Sequence, residues 1–504
     1  MAKYKRYDYS QRALIPVGME EQLMPGTLEF AIHTLVDRMD MSIFDERYKN
    51  DVTGRLAYDP RILLKVVLLG YSRGLIPSRK IEEACKENVT FMALSCGQQP
   101  DHSTIATFVS SMKDEIKPLF NEVLLVCYEE GLLGGTFFAI DGCRVSSNAS
   151  QEWSGKLSDL ERKKEKIEKK VEQLINQQEE EDRGDDRNDS GGSSGLSDRE
   201  GQIERLEKQA ERIRKFLKEN GPKIGKQGRE IQSNITDNES CMMWSSHGIL
   251  QGYNAQAVVD DKHQVIVHGE AFGDSQDHSL ITPMLDGAKE NIKDIGGSED
   301  YFEGKILTAD SNYHDPDNLK KCDEEKIDAY IPDKRFRSRD SRFKNGKASR
   351  SVKEGRFTLK DFVYNGDKNE YCCPNGKVLK LRVRKAVVTG VIYKVYTADK
   401  EDCAGCELKL KCMMSVKGKG RALSVPIGYV PGNLSKAMAE KIDTERGRRI
   451  YSQRIAIVEP VFANITNNKR MDRFTLRGKV KVNIQWMLYC MIHNIGKITA
   501  YGYT

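Results

Sequence analysis

No run of about 18 uncharged apolar residues occurs in the chain, so a membrane-spanning helix is not expected. An apolar stretch is also missing behind the basic start Met1-Ala2-Lys3-Tyr4-Lys5-Arg6, which does not read as a secretion signal. The chain is therefore expected to stay in the cytoplasm. Neither sign of charge dominates: 80 Lys and Arg against 75 Asp and Glu leave a formal net charge of +5, too little to assign a partner. The 12 cysteines are scattered apart from one cluster, and in a cytosolic setting they are not expected to form disulfides. What is present is length and local charge. At 504 residues the chain exceeds one ordinary core, and roughly two to four structural units are expected. A composition of 38% hydrophobic and 31% charged residues fits a globular protein with some poorly buried, highly charged segments.

Those segments are easy to locate. Acidic residues concentrate between Glu179 and Asp189, whereas Lys334–Arg356 carries ten Lys or Arg residues, the footprint of a polyanion binder or of a solvated loop. Residues 20–125 read as helical. Leu28–Val36 has helical apolar spacing, and Pro60–Leu69 opens with proline at a first helical position. Ser78 can cap a helix over Arg79–Glu87, and Asp101 or Ser103 can cap the segment Ile105–Met112. A helix-turn-helix on DNA and a plain helical bundle both fit this module.

Gly134–Gly142 is an apolar β-rich run ending in the carboxylate of Asp141. Residues 157–217 carry two heptad patterns, Leu160, Ile167, Val171 and Leu174, then Ile203, Leu206, Ala210, Ile213 and Leu217. A Gly/Ser-rich acidic link, Glu179–Ser197, separates them and is expected to be disordered. An antiparallel helical hairpin follows, with intermolecular pairing as the alternative. From His247 the pattern returns to strands, Ile249–Val259 and Gln264–Gly269, with Asp260-Asp261-Lys262 as a solvated hairpin tip. Helix Ser279–Ile292, strand Lys305–Ala309, helix Pro316–Glu325, strand Ile327–Ile331 and late helices at Asp443–Ile465 and Val480–Ile498 complete an α/β core.

Two-metal phosphodiester cleavage needs hard oxygen ligands around ions about 3.5–4 Å apart. Asp141 and Asp310 each close an apolar strand, where an unpartnered carboxylate is costly. For either alone a cap or turn role competes, and two of them in one α/β unit bring a shared metal site level with that reading. Glu459 lies in the apolar segment Arg454–Phe462, followed by Pro460. Tyr451, Arg454 and Glu459 are three and five positions apart and do not form one strict helical stripe. Asp260, Asp261 and Asp315 remain rival carboxylates.

Several motifs recur together in a familiar order. They are Tyr58-Asp59-Pro60 through Gly70-Tyr71-Ser72-Arg73-Gly74, Ser78-Arg79-Lys80-Ile81-Glu82, Pro100–Ile105, Ile140-Asp141-Gly142, Gly252-Tyr253-Asn254-Ala255-Gln256, Ala309–His314, and Tyr451-Ser452-Gln453-Arg454 leading to Val458-Glu459-Pro460-Val461-Phe462. In these motifs and their spacing the chain resembles, over nearly its full length, the DDE transposases of bacterial insertion sequences. The resemblance implies an RNase H-like core with Asp141 on the first strand, Asp310 after the fourth and Glu459 on a late helix. Together the three would hold two Mg²⁺ ions, with Mn²⁺ able to substitute. It also implies that Tyr451 and Arg454 contact DNA near the reacting phosphate. The usual lysine seven positions after the glutamate is Thr466 here, and the nearest lysine is Lys469. Ala463 stands where relatives often have glycine.

Asp310 and Glu459 are 149 positions apart, so an inserted unit is required between them. The organisation expected is a helical DNA-binding module over 1–130, a core over 131–333 and 441–504, a hairpin insertion over 155–220, and a small β-rich, cysteine-containing insertion over 334–440. In the last, Cys373, Cys403, Cys406 and Cys412 form a zinc-site pattern, with buried free thiols as the alternative and Cys372 competing with Cys373. Lys334, Arg335, Arg337, Arg339, Arg342, Lys344 and Lys347, interleaved with Phe336, Phe343 and Phe357, suit phosphates and unpaired bases. Lys469, Arg470, Arg473, Arg477, Lys479 and Lys481 form a second basic set that would track phosphates. The expected activity is cut-and-paste transposition on terminal inverted repeats and target DNA, by a homodimer. A transposase-derived DNA-binding protein that no longer cuts, and an RNase H-like nuclease that does not join strands, are the alternatives.

Overall fold

A computed structural model of the chain describes residues 18–47, 56–184, 193–225, 228–245, 248–340, 342, 357–388, 391–413, 420–429 and 433–502. The first part is helical: α1 (Leu28–Arg38), α2 (Pro60–Ser72), α3 (Ser78–Glu87), α4 (Val89–Leu94), α5 (His102–Ser111) and α6 (Ile116–Glu129). Asp59 caps α2 ahead of Pro60, and Asp101, not Ser103, caps α5 by accepting from the Ser103 and Thr104 amides.

Strand β1 (Phe137–Ser146) begins the sheet region. The short β2 (Ser154–Gly155), helices α7 (Leu157–Gly184) and α8 (Ser193–Glu219), and β3 (Ser233–Asn234) follow it. The two helices run back along each other, with Leu160, Ile213 and Phe216 buried between their base and Trp153. Both reach into the link expected over Glu179–Ser197; residues 185–192 lie outside the described residues.

The chain then builds β4 (Cys241–Ser245), β5 (Gly248–Asp260), β6 (Ile266–Phe272), α9 (Ile281–Asp294), β7 (Ile306–Ala309), α10 (Pro316–Glu324) and β8 (Asp328–Tyr330). The sheet order is β4-β5-β1-β7-β8, with β6 also on β5. The β1–β5 pair is antiparallel, and β1–β7 and β7–β8 are parallel. Beyond β8 come α11 (Phe336–Arg339) and a separate antiparallel sheet. Its strands are β9 (Val363–Asn365), β10 (Glu370–Cys372), β11 (Val378–Val388), β12 (Val391–Ala398) and β13 (Ala422–Tyr429), with short helices α12 (Lys400–Ala404) and α13 (Lys409–Cys412) between β12 and β13. A small core of Phe362, Leu379, Tyr396, Ala398 and Leu423 holds it.

The chain closes with α14 (Leu434–Asp443), α15 (Glu445–Ala463), a π-helical turn over Asn464–Asn468, and α16 (Lys479–Tyr501). The helix expected over Asp443–Ile465 is α15, capped at its start by the Thr444 hydroxyl accepting from Gly447 N, and α14 precedes it as an additional helix. Helix α16 joins the parts. Tyr489 stacks on Tyr71 of α2 with ring centroids 5.0 Å apart, and Trp486 is fully buried, its Nε1–H donating to Gln256 O of β5 at 3.0 Å. No helix of the described residues is long and apolar enough to cross a membrane.

Among the described residues strand β6 pairs only with β5, which leaves it a bare edge. Two asparagines of α16 cover that edge. Asn483 accepts from Ala271 N at 2.7 Å and donates to Ala271 O at 3.1 Å, and Asn494 does the same for Ile266 at 2.9 and 2.8 Å. The match is geometric: eleven helical residues rise about 16.5 Å and five strand residues span about 17 Å. A bulge at Val267 brings Ile266 and Ala271 to the same side.

One expectation is overturned here. Asp260 is not at a solvated tip but fully buried, accepting from the amides of Gly134, Gly135 and Lys262 at 2.9, 2.8 and 3.0 Å. It pins the turn that launches β1, a buried acceptor satisfied by three donors. Replacing Asn494 with alanine strands the buried N–H and C=O of Ile266, and a loss of about 3 kcal/mol is expected. A thermal melt of the full chain reads it out, and a melting temperature equal to wild type would refute the edge-capping role.

Candidate active site

Asp141 lies within β1, which continues to Ser146 because its antiparallel partner β5 continues alongside it. The parallel partner β7 stops at Ala309, opposite Ile140, so Asp141 and Asp310 follow at neighbouring positions where the parallel pairing ends. That register brings the two aspartates together. Asp310 turns the chain into a 3₁₀ turn, Ser311–Tyr313, and its carboxylate accepts from Asn312 N at 2.6 Å and Asn312 Nδ2 at 3.2 Å.

Both carboxylates line one open cavity of about 650 Å³, with Arg144, Asn254, Asp277, Asn312 and Asp472 also on its walls. Asp277 brings a third carboxylate to the same space. Its Oδ1 accepts from Asn254 Nδ2 at 2.6 Å and Gln256 Nε2 at 3.2 Å. Arg144 crosses the cavity wall, its guanidinium donating to the carbonyls of Trp244 and Ser275.

Helix α15 packs on β1, β5, β7 and β8 and delivers Arg454. The guanidinium ion-pairs with Asp141 Oδ2 and is only 12% exposed, and its Nε has no hydrogen-bond partner among the described residues. Its carbon lies 5.8 Å from the centroid of the Tyr451 ring, and that ring meets Phe336 edge-on at 5.2 Å. Burial pushes the Asp141 carboxyl up from its ordinary range; Arg454 and the Gly142 N–H oppose the rise and the Asp310 charge adds to it. Asp277 is likewise raised by burial, with Asn254 opposing and Asp310 adding.

Glu459 does not join this group. Five residues on from Arg454, it lies about 140° round the helix. Ile450, Ile457, Val458 and Val461 fill the buried face, and Glu459 is exposed and does not line the cavity. Among the described residues, no three His, Cys, Asp or Glu side chains sit ready to hold a metal ion.

The basic residues divide. Lys334, Arg335 and Arg337 are exposed, whereas Arg339 is clamped between Asp333 and Asp443, on either side of the inserted sheet. Arg342 pairs with Asp340, and Phe343, Lys344 and Lys347 lie outside the described residues. Lys469 is turned inward, 8% exposed, donating to Asn464 Oδ1, and burial with nearby Lys497 brings its pKa to about 8. Of the described residues expected to meet DNA, it is the one found buried. Arg473 and Arg477 donate to the carbonyls of Ser147 and Asn148, and Lys479 pairs with Glu270, so these cations latch the chain to the end of β1 and to β6. Thr466 sits in the π-helical turn, its hydroxyl donating to Phe462 O at 2.8 Å.

In the inserted sheet, Cys373, Cys403 and Cys412 pack against one core, and burial together with the three neighbouring thiols raises the Cys412 pKa. Cys373 Sγ accepts from Lys377 N at 3.3 Å, Cys403 Sγ from Arg421 N at 3.4 Å, and Cys406 Sγ from Asn375 Nδ2 at 3.4 Å. All four are free thiols.

Sequence reading assigned no role to Asn254, Gln256 or Asp277. A signal was present for the first two: polar residues at alternate positions of an otherwise apolar strand must find partners inside.

Residues 18–111 match the family model described as a transposase domain, and residues 372–499 match the model described as a transposase DDE domain. The second stretch contains Tyr451, Arg454 and Glu459, and Asp141 and Asp310 lie outside both. No curated protein matches the chain. The chain thus carries a transposase domain toward one end and a transposase DDE domain toward the other, which supports a transposase role with DNA as the partner.

Proposed function

We propose that this transposase cleaves DNA at the ends of its element and joins the freed 3′ ends to target DNA by two-metal phosphoryl transfer at the Asp141–Asp310 cavity. The observation that carries the reading is the convergence of these two aspartates, from adjacent parallel strands, on one open cavity. The strand order supports an RNase H-like core, with β6, β5 and β1 antiparallel and β7 and β8 parallel to β1.

The donor set fits divalent Mg²⁺ or Mn²⁺, since carboxylate oxygens are hard ligands and the Arg454 guanidinium already supplies a cation to Asp141. Ions bound there would activate the attacking water or 3′-hydroxyl and stabilise the leaving oxygen. Asp141 and Asp310 are the proposed ligands. Glu459 is proposed as the third because it falls within the matched DDE domain. Pro460, inside α15, and the π-helical turn behind it interrupt the regular helix ladder, giving this end of α15 a way to turn Glu459 inward. Arg454, held by Tyr451, would exchange Asp141 for a DNA phosphate, which its planar fork also suits.

The helical N-terminal module is proposed to bind the terminal repeats. Exposed Lys334, Arg335 and Arg337 would meet the DNA backbone, and a homodimer would bring two ends together. Cys373, Cys403, Cys406 and Cys412 are the proposed ligands of a structural Zn²⁺, which zinc analysis of the purified chain checks at about one ion per molecule.

Asp141→Asn or Asp310→Asn should lower end cleavage at least about 1,000-fold, about 4 kcal/mol, with end binding unchanged. Full cleavage by either variant would sink the reading. Cleavage without joining would favour the plain nuclease, and end binding without cleavage by wild type in Mg²⁺ would favour a protein that no longer cuts. Glu459→Gln should match the aspartate variants, and wild-type rates would remove Glu459 from the site. For Arg454→Met, loss of the countercharge raises the Asp141 pKa further. The carboxylate then ionises only at higher pH, so the acid limb of the cleavage profile moves upward; an unmoved limb would contradict the pairing.

A further inference from the structure

From the cavity wall, at Asn254 and Asp277, into the core beneath it runs a hydrogen-bonded chain that joins the two aspartate-bearing segments. Tyr313, which ends the turn begun at Asp310, is buried, and its hydroxyl donates to Gln256 Oε1. Gln256 Nε2 donates to Asn254 Oδ1 at 2.8 Å and to Asp277 Oδ1 at 3.2 Å, and Asn254 Nδ2 donates to the same Asp277 oxygen at 2.6 Å. Gln256 and Asn254 stand opposite Gly142 and Arg144 on β1. A Cβ on Gly142 would collide with the Gln256 amide and come within 2.8 Å of Asn254 Oδ1, so the residue beside Asp141 is cut to fit this chain.

Every polar atom named here has its partner, and the route leads from the Asp310 turn to the Asp141 strand. Strand pairing alone stops at Ile140 and Ala309, one residue short of the carboxylates. Beyond that point the side-chain chain is what ties the Asp310 turn to β5, the partner of the Asp141 strand.

We propose that Tyr313, Gln256, Asn254 and Asp277 form a positioning bracket that sets Asp310 against Asp141 for a divalent ion before DNA arrives. This rests on the metal-centre reading above. None of the four needs to touch substrate; they act through the two aspartates, as outer-shell partners orient metal ligands.

The test is Mn²⁺ binding to the full chain without DNA, by titration calorimetry or by the free-ion electron spin resonance signal. Tyr313→Phe removes one hydroxyl and should weaken Mn²⁺ binding about 10-fold, with end binding unchanged and cleavage recovered at high Mn²⁺. Gln256→Glu alone should be worse, because it sets a carboxylate against Asp277. Adding Asp277→Asn should restore binding, since the amide donor returns on the other partner. A Tyr313→Phe midpoint equal to wild type overturns the proposal, as does a loss of cleavage that no Mn²⁺ concentration recovers. Asp141→Asn, run alongside, separates the two ideas. If it loses Mn²⁺ binding while Tyr313→Phe does not, the bracket alone fails. If neither changes, the metal centre fails and the bracket with it.

Discussion

A partly buried carboxylate within a sheet needs a countercharge, and much of the surrounding structure answers to that need at Asp141. The strand carries it past the end of its parallel neighbour, where backbone pairing no longer fills the space. Helix α15 crosses the strands and returns the missing positive charge through Arg454, with the Tyr451 ring behind it and Phe336 edge-on to that ring. An ion pair this poorly solvated stabilises little by itself, because desolvation offsets most of the attraction. What it provides is a carboxylate held against a largely buried cation at the wall of the cavity.

The scaffold around this pair is organised by α16. One helix stacks on the N-terminal helices through Tyr489, reaches under the sheet through Trp486, and closes the bare edge of β6 with Asn483 and Asn494. The two matched transposase domains, far apart in the chain, therefore share a core. The basic residues after α15 serve the same end. Arg473 and Arg477 each donate an Nε–H to a carbonyl that follows β1, so part of this basic set also holds the fold.

How far the sequence was legible follows from which contacts are local. Asp141 and Asp310 could be picked out because each ends an apolar run, and α2 and α5 because their caps lie next to them in the chain. The hidden features depend on partners far away. The phase of α15 decides whether Arg454 or Glu459 faces the sheet, and packing against β1 and β7 sets that phase. Asp260 looked like a hairpin tip because its three donors include Gly134 and Gly135, more than a hundred residues earlier. Lys469 looked like a surface cation because the residues that bury it belong to another helix. The Asn254–Gln256 pair was visible as an oddity in β5, but its meaning needed Tyr313 and Asp277 in place.

Arg339 has a bearing on how the chain is put together. By gripping Asp333 and Asp443 at once, it draws the entry and exit of the inserted sheet to a single stem, closing a loop of roughly a hundred residues. The sheet beyond has its own small core. A segment with a closed stem and a core of its own packs largely within itself, so a change in its length is felt mainly inside it. Loop-closure entropy grows only slowly with length, so such changes cost the catalytic sheet little. The stem thus marks the place where this transposase can vary its shape without re-solving the packing around Asp141.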